Sequence, residues 1–72
     1  MSDFGEKVLA LSMALRESGL YPGPSVHDFL RGRGVTADAI MARGGWMFIL
    51  MDILMEEGKT IEELIDMIRD QR

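Results

Sequence analysis

Paired carboxylates are the residues in this sequence best suited to chemistry, because general acid–base catalysis needs two groups that converge on one reacting atom. Glu56 and Glu57 are adjacent in the chain, and so are Glu62 and Glu63. Side chains of adjacent residues on a helix point in different directions, so neither pair can converge on a substrate. The pattern predicts a solvated face and no catalytic site.

A single histidine stands close to a serine and an aspartate, a combination that could supply a general base or one metal ligand. His27 lies two residues after Ser25 and directly before Asp28, and the chain has no cysteine. The sequence places no third group that would orient His27, and two ligands do not complete a metal site. We therefore expect a surface histidine, no enzymatic activity, no metal and no cofactor.

The segment of residues 25–45 has three arginines and two aspartates, which give it a net charge of +1. Ser25 and the free amides at the start of a helix could bind an anion, because helix N-termini favour negative charge. The side chains of Arg31, Arg33 and Arg43 would then add charged hydrogen bonds to a phosphate. The segment therefore predicts, as one alternative, a small anionic ligand such as a nucleotide.

A second alternative for the same segment, residues 25–43, is a helix-turn-helix that binds DNA. Gly34 suits a turn, Thr36 is a good N-cap, and Ile40 lies six residues after Gly34. This spacing suits a second helix folded across the first. DNA-binding proteins present a clear basic face, however, and three arginines make a weak one. Nucleic acid is therefore kept as an alternative partner only.

Helical periodicity and capping residues divide the chain into four or five short helices, and no alternating segment predicts a strand. We expect an all-α, compact bundle that forms a single domain over residues 1–72. The predicted helices cover residues 3–18, a short segment with Ser25 as its N-cap, a segment from Thr36 to Arg43, residues 46–57, and a last helix that opens with a capping box at Thr60. Gly44 and Gly45 favour a break before the fourth helix.

The fourth predicted helix is apolar on more than one side. A chain of 72 residues buries only about 60% of the surface that its unfolded form exposes. We therefore expect part of this helix to contact a second copy or a protein partner, and its methionines suit an adaptable interface. The residues predicted for the interface of a homodimer or other oligomer are Trp46, Ile49, Leu50 and Ile53.

The apolar run in this helix is too short to cross a bilayer, which needs about 20 residues. The N-terminal residues have no hydrophobic signal region. The sequence therefore predicts a cytoplasmic protein without a membrane partner.

The last helix is strongly amphipathic, and its polar side is acidic. Its predicted core face carries Ile61, Leu64, Ile65 and Ile68. The opposite side forms an acidic strip of Glu62, Glu63, Asp66 and Asp70. A continuous negative strip could meet a basic surface of another protein, including a surface that normally binds nucleic acid. The preferred hypothesis is a small non-enzymatic regulator or inhibitor of bacterial or phage type that acts by protein–protein interaction.

Overall fold

A computed structural model describes residues 3–71, and over that range the chain is all-helical, without a β-strand. The five helices of this range are α1 (Asp3–Glu17), α2 (Ser25–Gly32), α3 (Ala37–Arg43), α4 (Trp46–Glu57) and α5 (Ile61–Arg69). The predicted all-α class and the predicted number of short helices are confirmed. None of these helices has the length and apolar character that crossing a membrane requires.

The hydrophobic core draws its buried side chains mainly from α1, α2, α4 and α5. Leu11 and Leu15 of α1 are fully buried, whereas Phe4 and Val8 on the same side are half-buried at the edge of the core. The buried residues of α5 are Leu64, Ile65 and Ile68. The helix α3 contributes no buried residue, so it lies at the periphery.

Helices that follow one another in the chain are not always the ones that pack together. The helix α1 packs against both α4 and α5, α2 packs against α5, and α3 packs against α4. The radius of gyration is 11.6 Å, close to the roughly 11 Å expected for a folded chain of this length. The helices α2 and α3 are consecutive in the chain, yet each is attached to a different partner helix.

Local sequence signals account for most of the helix ends. The Thr36 hydroxyl accepts a hydrogen bond from the Ala39 amide at 3.1 Å, which caps α3. Thr60 and Glu63 form the predicted capping box, with hydrogen bonds of 3.1 and 2.8 Å between side chains and backbone amides. Gly44 has a φ of 103°, which L-amino acids with a side chain rarely adopt, so the predicted break before α4 is confirmed.

The predicted N-cap of α2 is wrong by one residue. Pro24 occupies the cap position with helical backbone angles, and Ser25 is the first helical residue, with no capping hydrogen bond from a side chain. The Pro24 carbonyl accepts the Asp28 amide at 2.9 Å, which starts the helix one residue early. The Ser25 carbonyl instead accepts a hydrogen bond from Nε2 of Gln71 at 2.8 Å, so this residue links α2 to the end of the chain.

Candidate functional site

Arg43, one of the three arginines predicted to contact an anion, forms an ion pair within the chain. Its Nε and Nη2 atoms donate to the two carboxylate oxygens of Asp52 at 2.7 and 2.8 Å. Its guanidinium also lies 5.5 Å from the centre of the Phe48 ring. The hydrogen bonds from Arg43 lower the pKa of Asp52, and the same pairing raises the pKa of Arg43. Arg43 therefore joins α3 to α4.

The other two arginines also have carboxylate partners. Arg33 forms a salt bridge with Glu57 at the end of α4, and its guanidinium lies 5.6 Å from the centre of the Phe29 ring. Arg31 pairs with Asp28 at 3.3 Å within α2, and both side chains are exposed. An incoming phosphate would have to compete with a carboxylate at each arginine.

The predicted anion-binding residues do not converge on one cavity. Ser25 lines a cleft between α2 and the end of α5, whereas Arg33 lines a neighbouring cleft on the other side of Asp28. Arg31 and Arg43 line neither of these two clefts. The three arginines lie within a short segment of the sequence, but the structure distributes them over three separate contacts.

The helix-turn-helix alternative requires the second helix to pack across the first. In this structure α2 packs on α5 and α3 packs on α4, and α2 with α3 is not one of the main packed pairs. The Ile40 side chain is half-buried at the edge of the core, and no residue of α3 is fully buried. The arrangement gives no specific support to DNA recognition by α3.

The predicted interface on α4 is partly buried within the chain itself. Leu50 is fully buried and Ile53 is 7% exposed, so neither can contact a partner unless the fold opens. Ile49 is half-buried, and so is Trp46, whose ring centre lies 5.0 Å from that of Tyr21 and 6.3 Å from that of His27. Most of the apolar surface of α4 therefore serves the core of this chain.

The outer face of α1 exposes apolar residues that the sequence interpretation did not select. Leu9 is 62% exposed and Met13 is 51% exposed. The two residues are four positions apart, so they lie side by side on a helix, opposite the buried face of Leu11 and Leu15. Their spacing alone could have identified this second apolar face, because Leu9 and Met13 do not fit the periodicity of the core positions.

The acidic strip lies on the exposed side of α5, where all four predicted carboxylates are solvent-accessible. Glu63 differs from the others, because its carboxylate accepts the Thr60 amide in the capping box. This hydrogen bond is the main cause of its lowered pKa, followed by the Thr60 side chain and the charge of Lys59. Glu63 therefore has a structural role, and replacing it would disturb the helix start as well as the surface charge.

A carboxylate from α1 extends the strip. Glu17 lines a groove of about 240 Å³ between α1 and α5 together with Glu62, Asp66 and Arg69. The Arg69 guanidinium makes a long hydrogen bond of 3.4 Å to the Ser18 carbonyl rather than a salt bridge. We define the acidic face as Glu17, Glu62, Asp66 and Asp70, and none of these four forms a salt bridge with a cation among residues 3–71.

Among the residues that the structure covers, no group of three or more potential metal ligands is close enough to hold a metal ion. The chain matches no known protein family, and neither a characterised protein nor a solved structure is similar enough to count as a match. The arguments for function therefore depend on the surface chemistry of this chain.

Proposed function

We propose that the protein is a small non-enzymatic regulator that binds a basic surface of another protein through the acidic face on α1 and α5. The observation that carries this proposal is the division of the carboxylates. Asp52 and Glu57 are paired with arginines, whereas Glu17, Glu62 and Asp66 have no salt-bridge partner within residues 3–71. Unpaired charges of one sign attract a partner of the opposite sign and speed its association.

The geometry of α5 makes this face a stable platform. Three buried side chains fix the rotation of the helix, and the capping box fixes its first turn. Asp66 and Asp70 are one turn apart, so both stay on the outward side whenever α5 is docked. A partner would therefore meet a rigid row of carboxylates, which reduces the entropy lost on binding.

Affinity capture from a cell lysate treated with nuclease identifies the partner, and association kinetics then test the acidic face. Asp66→Lys should slow association by about threefold to tenfold at low salt, and the difference should shrink as salt screens the charges. Glu56→Lys is the matched control, because it makes the same change in net charge at an exposed position on α4. We expect its association rate to stay near that of the wild type.

Equal rates for Asp66→Lys and the wild type would contradict the proposal. Binding of duplex DNA at about 50 mM salt that is lost at about 200 mM would instead favour the helix-turn-helix alternative. The same assay with Arg33→Gln would then show whether the segment of α2 and α3 makes the contact.

We further propose that the chain self-associates, as its small core predicts. Leu50 and Ile53 are buried, so a second copy would have to cover other apolar residues. Leu9 and Met13 on α1 are exposed next to each other, and they are the pair that we expect a second copy to cover.

A further inference from the structure

Both lysines of this protein line one cleft. Lys7 belongs to α1 and Lys59 to the turn between α4 and α5, and the sequence contains no other lysine. Fifty-two positions separate them in the numbering, yet the packing of α1 against α4 and α5 brings them to the same depression in the surface. Neither lysine forms a salt bridge with a carboxylate of residues 3–71.

The walls of this cleft are apolar. It has a volume of about 220 Å³, and the side chains that line it besides the two lysines are Met51, Leu54, Met55, Thr60 and Ile61. Met51 and Leu54 belong to the buried core, whereas Met55 is largely exposed at the rim. Methionine side chains adapt to irregular shapes, so two of them give the cleft an adjustable wall.

We propose that this cleft binds a medium-chain carboxylate, with its apolar chain against the methionines and its carboxylate between Lys7 and Lys59. The positive charge is local, because the chain as a whole carries a net charge of −4 and Lys7 and Lys59 are two of the few cations that form no salt bridge among residues 3–71. Sites for small molecules combine apolar walls with a few polar groups that set the orientation of the ligand.

The size and charge of the cleft define the ligand further. A closed cavity of about 150 Å³ holds benzene, so an open cleft of about 220 Å³ suits a chain of about six to eight carbons. A monoanion fits better than a dianion, because the Glu63 carboxylate lies beside Lys59 and Thr60 at one end of the cleft. The two lysines and Glu63 together carry a net charge of +1, so one carboxylate neutralises the site, whereas a doubly charged phosphate would leave an excess negative charge there.

Methionine methyl resonances offer a direct test with octanoate as the probe. In the full chain labelled with ¹³C at the methionine methyl groups, octanoate up to about 10 mM should shift the signals of Met51 and Met55 in a saturable manner. Met13 and Met41 are exposed elsewhere, on α1 and α3, so their signals should stay in place. Shifts of all the methionine signals together would indicate detergent-like binding and would overturn the proposal.

Variants and analogues separate the contribution of the charge from that of the apolar wall. Lys7→Gln and Lys59→Gln should each weaken octanoate binding by about twofold to fivefold, because each removes one exposed charge. The matched control Arg31→Gln removes one positive charge from an exposed site on α2 and should leave the affinity unchanged. Octanol and octylammonium should both bind more weakly than octanoate.

Three further results would contradict the proposal. The first is no saturable shift of the Met51 and Met55 signals, and the second is equal affinity for octanol and octanoate. The third is tighter binding of octyl phosphate than of octanoate, which would replace the carboxylate by a phosphate. Because all three variants change exposed side chains, helical content measured by circular dichroism should stay constant and confirm that each protein is folded.

Discussion

Arg43 and Asp52 are joined by two hydrogen bonds of 2.7 and 2.8 Å, and this pair links α3 to α4. The helix α3 has no buried residue, so its attachment depends on such surface contacts more than that of any other helix. A planar guanidinium offers two N–H donors to the two oxygens of one carboxylate, whereas an ammonium cannot reproduce that geometry.

We predict that Arg43→Lys loosens α3 without unfolding the rest of the protein. The amides of residues 40–43 should exchange with deuterium faster than in the wild type, because α3 opens locally when the pair of hydrogen bonds to Asp52 is lost. The amides of α5 should keep their protection. Arg31→Lys is the control, since its salt bridge lies within α2, and unchanged exchange in Arg43→Lys would show that the apolar contact of Ile40 suffices.

Low pH should destabilise the protein, because folding lowers the pKa values of two carboxylates, Asp52 and Glu63. Hydrogen bonds from Arg43 lower the pKa of Asp52 below its usual 3.8, and the amide and side chain of Thr60 lower that of Glu63 below its usual 4.5. A carboxylate with a lowered pKa stabilises the fold above its unfolded pKa, and this contribution disappears as pH falls through the folded pKa.

The urea midpoint should therefore fall as pH drops from about 4.5 toward lower values. Asp52→Asn should be less stable than the wild type near neutral pH and should lose less stability on acidification, because it lacks one of the two titrating groups. Parallel pH profiles for the wild type and Asp52→Asn would contradict the role given to the pair of Arg43 and Asp52.

Truncation of two leucines on opposite sides of α1 should change the stability of the protein to different extents. Leu11→Ala removes a fully buried side chain and should reduce the free energy of unfolding by about 2–5 kcal/mol. Leu9→Ala changes a side chain that is 62% exposed and should alter this free energy by no more than about 0.5 kcal/mol. Urea denaturation at low protein concentration measures both values, and a large loss in Leu9→Ala would mean that a second copy already covers this face.

Light scattering tests self-association directly. At micromolar concentration the wild type should show twice the monomer mass of 8.1 kDa, and the double variant Leu9→Gln, Met13→Gln should show the monomer mass. The substitutions replace exposed apolar surface by polar side chains, so they weaken a contact between copies without entering the core. Met41→Gln is the control, because Met41 is exposed on α3, and a monomeric wild type would contradict the prediction.

The sequence by itself determined where most of the helices begin and end. Thr36 and Thr60 predict their caps because a hydroxyl reaches an amide only a few residues away, and Gly44 predicts a break because a left-handed backbone favours glycine. The amphipathic face of α5 was equally predictable, since the spacing of Leu64 and Ile68 repeats with the helical period. All of these features depend on neighbours within one or two turns. Ser25 failed as a cap, because the proline before it already has helical angles.

Only the tertiary structure decided which charges meet. Arg33 pairs with Glu57 across 24 positions, and Lys7 shares a cleft with Lys59 although they belong to different ends of the chain. No local pattern encodes these distances, since they depend on how α1 and α2 pack against α4 and α5. The same packing buried Leu50 of α4 within the core. On α1 it turned Leu11 toward the core and left Leu9, on the opposite side of that helix, exposed, because a helix at the surface of a small core can turn only one side toward it.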